Sequence, residues 1–184
     1  MPLTLANLKP VREIIATANL IVGNDGSTTA NNSSIGLSTD EDRLRFQQLR
    51  SNSDLILIGG NTARREPYKR TPIPLYILTH AKVRLQPKNQ LAKQFSMNIT
   101  DLFAEISNNF LPTEINSPIN LLVEAGPILL KQIIELSLID HLYLTKNLEK
   151  SGENKISINE LTAPFKLLTS ERVESCEFMH YQKL

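Results

Sequence analysis

One cysteine in 184 residues, Cys176, leaves no partner for an internal disulfide and no second thiolate for a zinc knuckle. Such usage fits a reducing compartment, so a cytoplasmic location is the expectation. No run of about 18 apolar residues is present to cross a bilayer. The start Met1-Pro2-Leu3-Thr4 shows no charged region leading into a long apolar stretch, so neither membrane insertion nor secretion is expected. Neither sign of charge is in excess: 20 Lys and Arg against 19 Asp and Glu leave +1. Nucleic acid, whose backbone calls for a basic field, is therefore not an implied partner. The three histidines, His80, His141 and His180, are scattered without metal-ligand spacing and read as surface or edge residues. Internal repeats and low-complexity tracts are absent as well.

What remains is an ordinary globular composition, 41% hydrophobic, with room for one substantial core and hence one domain over residues 1–184. After a short lead containing Pro10, the apolar and β-branched stretch from Glu13 to Val22 reads as a buried strand. Gly23-Asn24-Asp25-Gly26 ends it, and the Gly, Ser, Thr and Asn content up to Ser34 predicts a loop of the kind that covers a site. Thr39 with Asp42 predicts a helix start, followed by Phe46 and Leu49 on an apolar edge and Arg43, Gln47 and Arg50 on another side. Leu75 to Thr79 reads as a strand and residues 80 to 98 carry weak signals. Thr100 is the expected N-cap of a helix built on Leu102, Phe103, Ile106 and Phe110. Pro112 and Pro118 bracket the way to a strand from Ile119 to Val123. Ile139 to Thr145 is strand-like, and Phe165 to Leu184 reads as two strands with a charged turn near Glu171 and Arg172. Strands alternating with helices, then a strand-rich tail, predict a mixed α/β domain. Its sheet is mostly parallel with an antiparallel C-terminal edge and helices on both faces.

Two strand-to-turn junctions stand out. Leu55-Ile56-Leu57-Ile58 runs into Gly59-Gly60-Asn61-Thr62, and Asn120-Leu121-Leu122-Val123 runs into Glu124-Ala125-Gly126-Pro127, with proline where a first helical residue tolerates it. Each aims backbone N–H groups and the positive end of a helix at the carboxyl edge of the sheet, which suits phosphate. A pair of them suggests a pyrophosphate-bearing cofactor. Taken alone, Gly59-Gly60 reads more readily as an ordinary turn at a strand end, and Gly126-Pro127 equally well as a plain helix start.

Three motifs in order, Asn24-Asp25-Gly26-Ser27, Ser34-Ile35-Gly36-Leu37-Ser38 with Leu49-Arg50-Ser51-Asn52-Ser53-Asp54, and Leu57-Ile58-Gly59-Gly60-Asn61-Thr62-Ala63-Arg64-Arg65-Glu66-Pro67-Tyr68, resemble the pyrimidine reductase domain of riboflavin biosynthesis. Leu122-Val123-Glu124-Ala125-Gly126-Pro127 and Leu138-Ile139-Asp140-His141-Leu142 resemble its second half, so the likeness runs over residues 14–152. It implies a dihydrofolate-reductase-like fold, a homodimer, and NADPH-dependent reduction of the ribosyl group of a phosphoribosylaminopyrimidine, such as 5-amino-6-(5-phosphoribosylamino)uracil, to ribityl.

The resemblance also implies site residues. Gly59, Gly60, Asn61 and Thr62, with Ala125, Gly126 and Pro127, take the cofactor-binding positions. Glu66, Asp25 and Glu124 take the acidic catalytic ones, with Glu66 foremost because reduction of an opened imine needs a proton as well as a hydride. Arg43, with Ser34, Leu37 and Ser38, takes the substrate positions. Each has a plainer reading from the residues themselves: Asp25 as a turn former, Glu124 as a helix cap, Arg43 as a surface arginine. Arg64 and Arg65 are candidates for a 2′-phosphate by position, leaving NADPH against NADH open. The chain departs from the family's usual Ser-Leu-Asp-Gly at Gly23-Asn24-Asp25-Gly26, from its Gly-Gly-Pro at Ala125-Gly126-Pro127, and from Glu at His141. It carries no His-x-Glu with paired cysteines, so any deamination is expected to fall to another protein. Rival expectations are a reductase of the same fold acting on a pterin or other heterocycle, and a non-catalytic nucleotide-binding domain.

Overall fold

The computed structural model describes residues 11–66, 68–81, 89–112 and 117–184. Pro10 in the N-terminal lead and Pro67 in the third motif lie outside these. The elements are β1 (Ile14–Val22), β2 (Ser27–Thr29), α1 (Asp40–Ser51), β3 (Leu55–Gly59), α2 (Gly60–Arg65), β4 (Leu75–Leu78), β5 (Ala92–Phe95), α3 (Ile99–Asn109), β6 (Ile119–Val123), α4 (Pro127–Glu135), β7 (His141–Asn147), β8 (Glu153–Lys155), α5 (Ile158–Thr162), β9 (Phe165–Val173) and β10 (Cys176–Lys183).

Strands order as β5-β4-β3-β6-β1-β7-β10-β9 in one sheet. Neighbours from β5 through β7 are parallel, and β10 runs antiparallel to both β7 and β9. The expected parallel sheet with an antiparallel C-terminal edge is therefore present. Strand alternation sends Leu55 and Leu57 of β3 to one core with Leu102 and Ile106 of α3 and Leu130 and Ile133 of α4. Ile56 and Ile58 go to the other face, against Leu49 of α1 and Ala63 of α2. This split follows from handedness. Crossovers from β1 to β3 and from β3 to β4 step one way across the sheet, while those from β5 to β6 and from β6 to β7 step back. Right-handed connections running opposite ways must lie on opposite faces.

Local signals placed several element starts. Thr39 Oγ1 accepts from the Asp42 N–H at 3.3 Å, as the capping pattern predicts, and Pro127 opens α4. Three expectations are corrected. Asn98, not Thr100, caps α3: its Oδ1 accepts from the Asp101 N–H at 2.8 Å, while the Thr100 hydroxyl donates to the same oxygen. The polar stretch after β1 is not all loop, because β2 pairs with β8 in a two-stranded sheet whose partner lies far along the chain. The C-terminal hairpin turns at residues 174–175, with Glu174 at φ 52, rather than near Glu171 and Arg172. Those two charges sit within β9, an edge strand whose exposed side chains solvate freely; Glu171 pairs with Arg45 at 2.7 Å.

Candidate active site

Because β3 and β6 are neighbours with Leu57 opposite Val123, the two strand-to-helix turns lie side by side at one edge of the sheet. A Cβ on Gly126 would sit 3.5 Å from Thr62 Oγ1, so the turns come within contact distance of each other. A Cβ on Gly60 would fall 2.4 Å from Thr79 Oγ1, which explains glycine at that position. Both turns open onto a cleft of about 1340 Å³, lined by Gly59, Gly60, Asn61 and Thr62 from one side and by Ala125, Gly126 and Pro127 from the other. The leading N–H groups of α2 and α4 have no acceptor within their own helices. Their donors and the helix ends favour an anion here.

Glu66, at the end of α2, faces the same cleft. Its Oε1 accepts from the Ser34 N–H at 2.9 Å and the Ser34 hydroxyl at 3.0 Å, and its Oε2 from the Ser33 hydroxyl at 3.1 Å. The short 3-10 turn Ser34–Gly36 is thereby tied to the far side of the cleft. A carboxylate fixed by three donors is a positioned group rather than a mobile surface acid.

Glu124 also lines the cleft, but its carboxylate is taken. Arg50 Nε donates to Oε1 at 2.7 Å and Nη2 to Oε2 at 2.6 Å, and the Tyr68 hydroxyl donates to Oε2 at 2.6 Å. Glu124 is 3% exposed and Arg50 20%. The Arg50 guanidinium lies over the Phe46 ring at 4.1 Å and the Tyr68 ring at 5.3 Å. Burial, reinforced by the adjacent Glu124 charge, holds the Tyr68 phenol well above its ordinary pKa, so it stays a donor. Of Arg50's five N–H donors, two are committed to Glu124, and the residue reaches the cleft.

The remaining predicted residues divide. Ser34, Ser38 and Arg43 line the cleft; the Ser38 hydroxyl donates to Asp42 at 2.7 Å, and Arg43, 55% exposed, pairs with Asp40 at 3.4 Å. Leu37 is fully buried and does not line it; its carbonyl accepts from Asn147 Nδ2 at 2.8 Å. Asp25 also lies off the cleft lining. Its carboxylate accepts from the Ser27 N–H at 3.2 Å and pairs with Lys155 Nζ at 2.8 Å. Hydrogen bonding to Lys155 and then Ser27 holds that carboxyl well below the usual carboxylate range. The next residue, Gly26, has φ 81, so the Asp-Gly pair shapes a turn. Arg64 and Arg65 both reach the cleft, and Arg64 Nη2 donates to Asn61 Oδ1.

Three residues escaped the sequence reading: Arg50 and Lys155, which line the cleft, and Ser33, which donates to Glu66. Arg50 carried a signal, since it falls two helical turns from Arg43 on the same side of α1. Ser33 directly precedes a quoted motif. Lys155 had no local signal, because only the β2–β8 pairing brings it to the cleft. Among the described residues, no group of three or more His, Cys, Asp or Glu side chains could hold a metal, and no helix is long and apolar enough to cross a membrane.

The fold is dihydrofolate-reductase-like, as comparison with solved structures shows. No protein-family model matches the chain, and no curated protein matches it in sequence. Solved structures do match. RibD of Acinetobacter baumannii superposes with TM-score 0.71 at 14% identity, over 94% of this chain and 58% of that one. This chain thus spans little more than half the length of that protein. A pyrimidine reductase-like protein of Corynebacterium diphtheriae superposes with TM-score 0.66 at 17% identity, over 95% and 93% of the two chains. Dihydrofolate reductase of Enterococcus faecalis, solved with NADP(H), superposes with TM-score 0.63 at 12% identity, over 92% and 96%. The fold expected from the sequence is the fold these proteins share.

Proposed function

We propose that the chain is an NADPH-dependent reductase that converts the ribosyl group of a phosphoribosylaminopyrimidine to ribityl. One observation carries the reading: two backbone turns suited to a diphosphate stand side by side on a cleft that also receives a fixed carboxylate and, from α1, Arg43 and Arg50. At about 1340 Å³, that cleft exceeds the roughly 300–1,000 Å³ of a single-ligand pocket, as a dinucleotide plus a second molecule requires. The open approach at Gly126 and the paired turns fit NADPH, which when bound supplies the hydride.

The protein's part is orientation and proton handling. Reduction of the ring-opened imine adds a hydride to carbon and a proton to nitrogen, and Glu66, in the cleft and held by Ser33 and Ser34, is the group assigned to hold that proton. Arg43 and Arg50 supply guanidinium donors for the substrate phosphate. Glu124 is assigned to hold Arg50 in place rather than to contact the reacting atoms. Asp25 is assigned to the turn that, through Lys155, fastens β8 beside the cleft. A homodimer belongs to the same proposal, with sedimentation velocity as its check.

The deciding experiment incubates purified protein with NADPH and 5-amino-6-(5-phosphoribosylamino)uracil and follows cofactor absorbance with product mass. Loss of NADPH matched one-to-one by a ribityl product supports the reading. NADPH binding without turnover, or turnover only with another heterocycle, overturns it.

A further inference from the structure

Away from the cleft, His141 on β7 and His180 on β10 meet across an antiparallel strand pair. In the register His180 faces Tyr143 and His141 faces Gln182, so the two histidines are diagonal neighbours on one side of the sheet. His141 Nδ1 and His180 Nε2 are 3.1 Å apart, with ring centroids 5.2 Å apart and planes at 42°. Tyr143 stacks on His180 at 4.1 Å and 9°, which fixes that ring's plane. Both histidines are half-buried, and neither lines the cleft. The proposed reduction makes no use of them.

Two ring nitrogens at this distance either share a proton or, with their lone pairs turned off the line between them toward a common point, share a ligand. Bonds of about 2.0–2.1 Å from a first-row ion to imidazole put adjacent ligand nitrogens roughly 2.9–3.4 Å apart, depending on coordination angle. The observed 3.1 Å lies inside that span. A rigid strand pair presents both rings without loop ordering.

We propose that His141 Nδ1 and His180 Nε2 form a two-point site for one borderline divalent transition ion, Cu²⁺, Ni²⁺ or Zn²⁺, with water in its other positions. This proposal is independent of the reductase reading. All-nitrogen imidazole donors select this class over Mg²⁺ and Ca²⁺, which take oxygen ligands. Within the class, Cu²⁺ binds more tightly than Ni²⁺ or Zn²⁺.

The test titrates tag-free protein at neutral pH with each chloride salt by calorimetry and records the electron paramagnetic resonance spectrum of the Cu²⁺ form. Expected are one saturable Cu²⁺ per chain, weaker Ni²⁺ and Zn²⁺ binding, no Mg²⁺ binding, and hyperfine splitting from two nitrogens. His141→Gln and His180→Gln, checked for native folding by circular dichroism, each lose saturable binding over the same concentration range, while His80→Gln keeps it. Absence of saturable binding would mean that the contact is an N–H···N hydrogen bond only, and the proposal would fall. Undiminished binding in the doubly substituted protein, or a wild-type spectrum without two-nitrogen splitting, overturns it equally.

Discussion

Gly60 and Gly126 occupy matching turns, yet a methyl group would meet different surroundings at each. At Gly60 it would strike Thr79 Oγ1 at 2.4 Å and Thr79 Cβ at 2.7 Å, whereas at Gly126 its nearest neighbour is Thr62 Oγ1 at 3.5 Å. Gly60→Ala should therefore cost about 1–3 kcal/mol of stability by overpacking, read as a lowered denaturation midpoint. Gly126→Ala should leave the midpoint nearly unchanged while weakening NADPH binding, because its methyl group would enter the space assigned to the proposed cofactor. Similar loss of stability in both variants would contradict this assignment of the two turns. Glu66→Gln keeps the shape but removes the carboxyl group assigned to proton transfer, and should lower kcat roughly 10²-fold or more. Fluorescence titration should find NADPH affinity nearly unchanged, since no cofactor contact is assigned to Glu66.

At the scale of elements, the β7–β10 pair carries a pH dependence. Burial and the adjacent His141 set the His180 pKa below 6.5, so the unfolded chain takes up this proton more readily than the native one. The stability involved is fully present above pH 6.5 and is lost as pH falls through the lower folded-state value. In metal-free buffer the unfolding midpoint should decline through that window, and His180→Gln should flatten the decline. An unchanged slope would remove His180 as its source. The pair also shows where sequence reading reaches its limit. β1, β3 and β6 were legible because buried parallel strands are continuous apolar runs, and α1 because Thr39 and Asp42 cap it locally. The approach of His141 to His180, the pairing of β2 with β8 and the capture of Glu124 by Arg50 depend on register between distant segments, which no local pattern encodes. Charges within β9 imitated a turn because an edge strand tolerates them.

For the whole molecule, the proposed cofactor site spans the ends of two neighbouring strands and the helices that follow them, so occupancy should stabilise the domain as a unit. NADPH at about a hundred times its dissociation constant should add roughly 2.7 kcal/mol. For a domain of this size that corresponds to a rise of about 5–10 °C in the thermal midpoint. NADH should give a smaller rise at equal concentration if Arg64 or Arg65 meets the 2′-phosphate. Equal shifts would remove both from cofactor choice. That β1, β3 and β6 run parallel was foreshadowed by alternating strand and helix patterns, but the shape of the cleft was not, because its wall is assembled from segments as distant in the chain as Thr28 and Lys155.

The pairing of Ser27–Thr29 with Glu153–Lys155 has a consequence for biosynthesis. Until the ribosome has extruded the second segment, the first has no partner, and one wall of the cavity stands open. A nascent chain halted before that point would own both strand-to-helix turns yet lack the wall that Asn154, Lys155 and Ile156 supply. Completion of the cleft would thus come late in translation, after the strands and helices that carry both turns have been made.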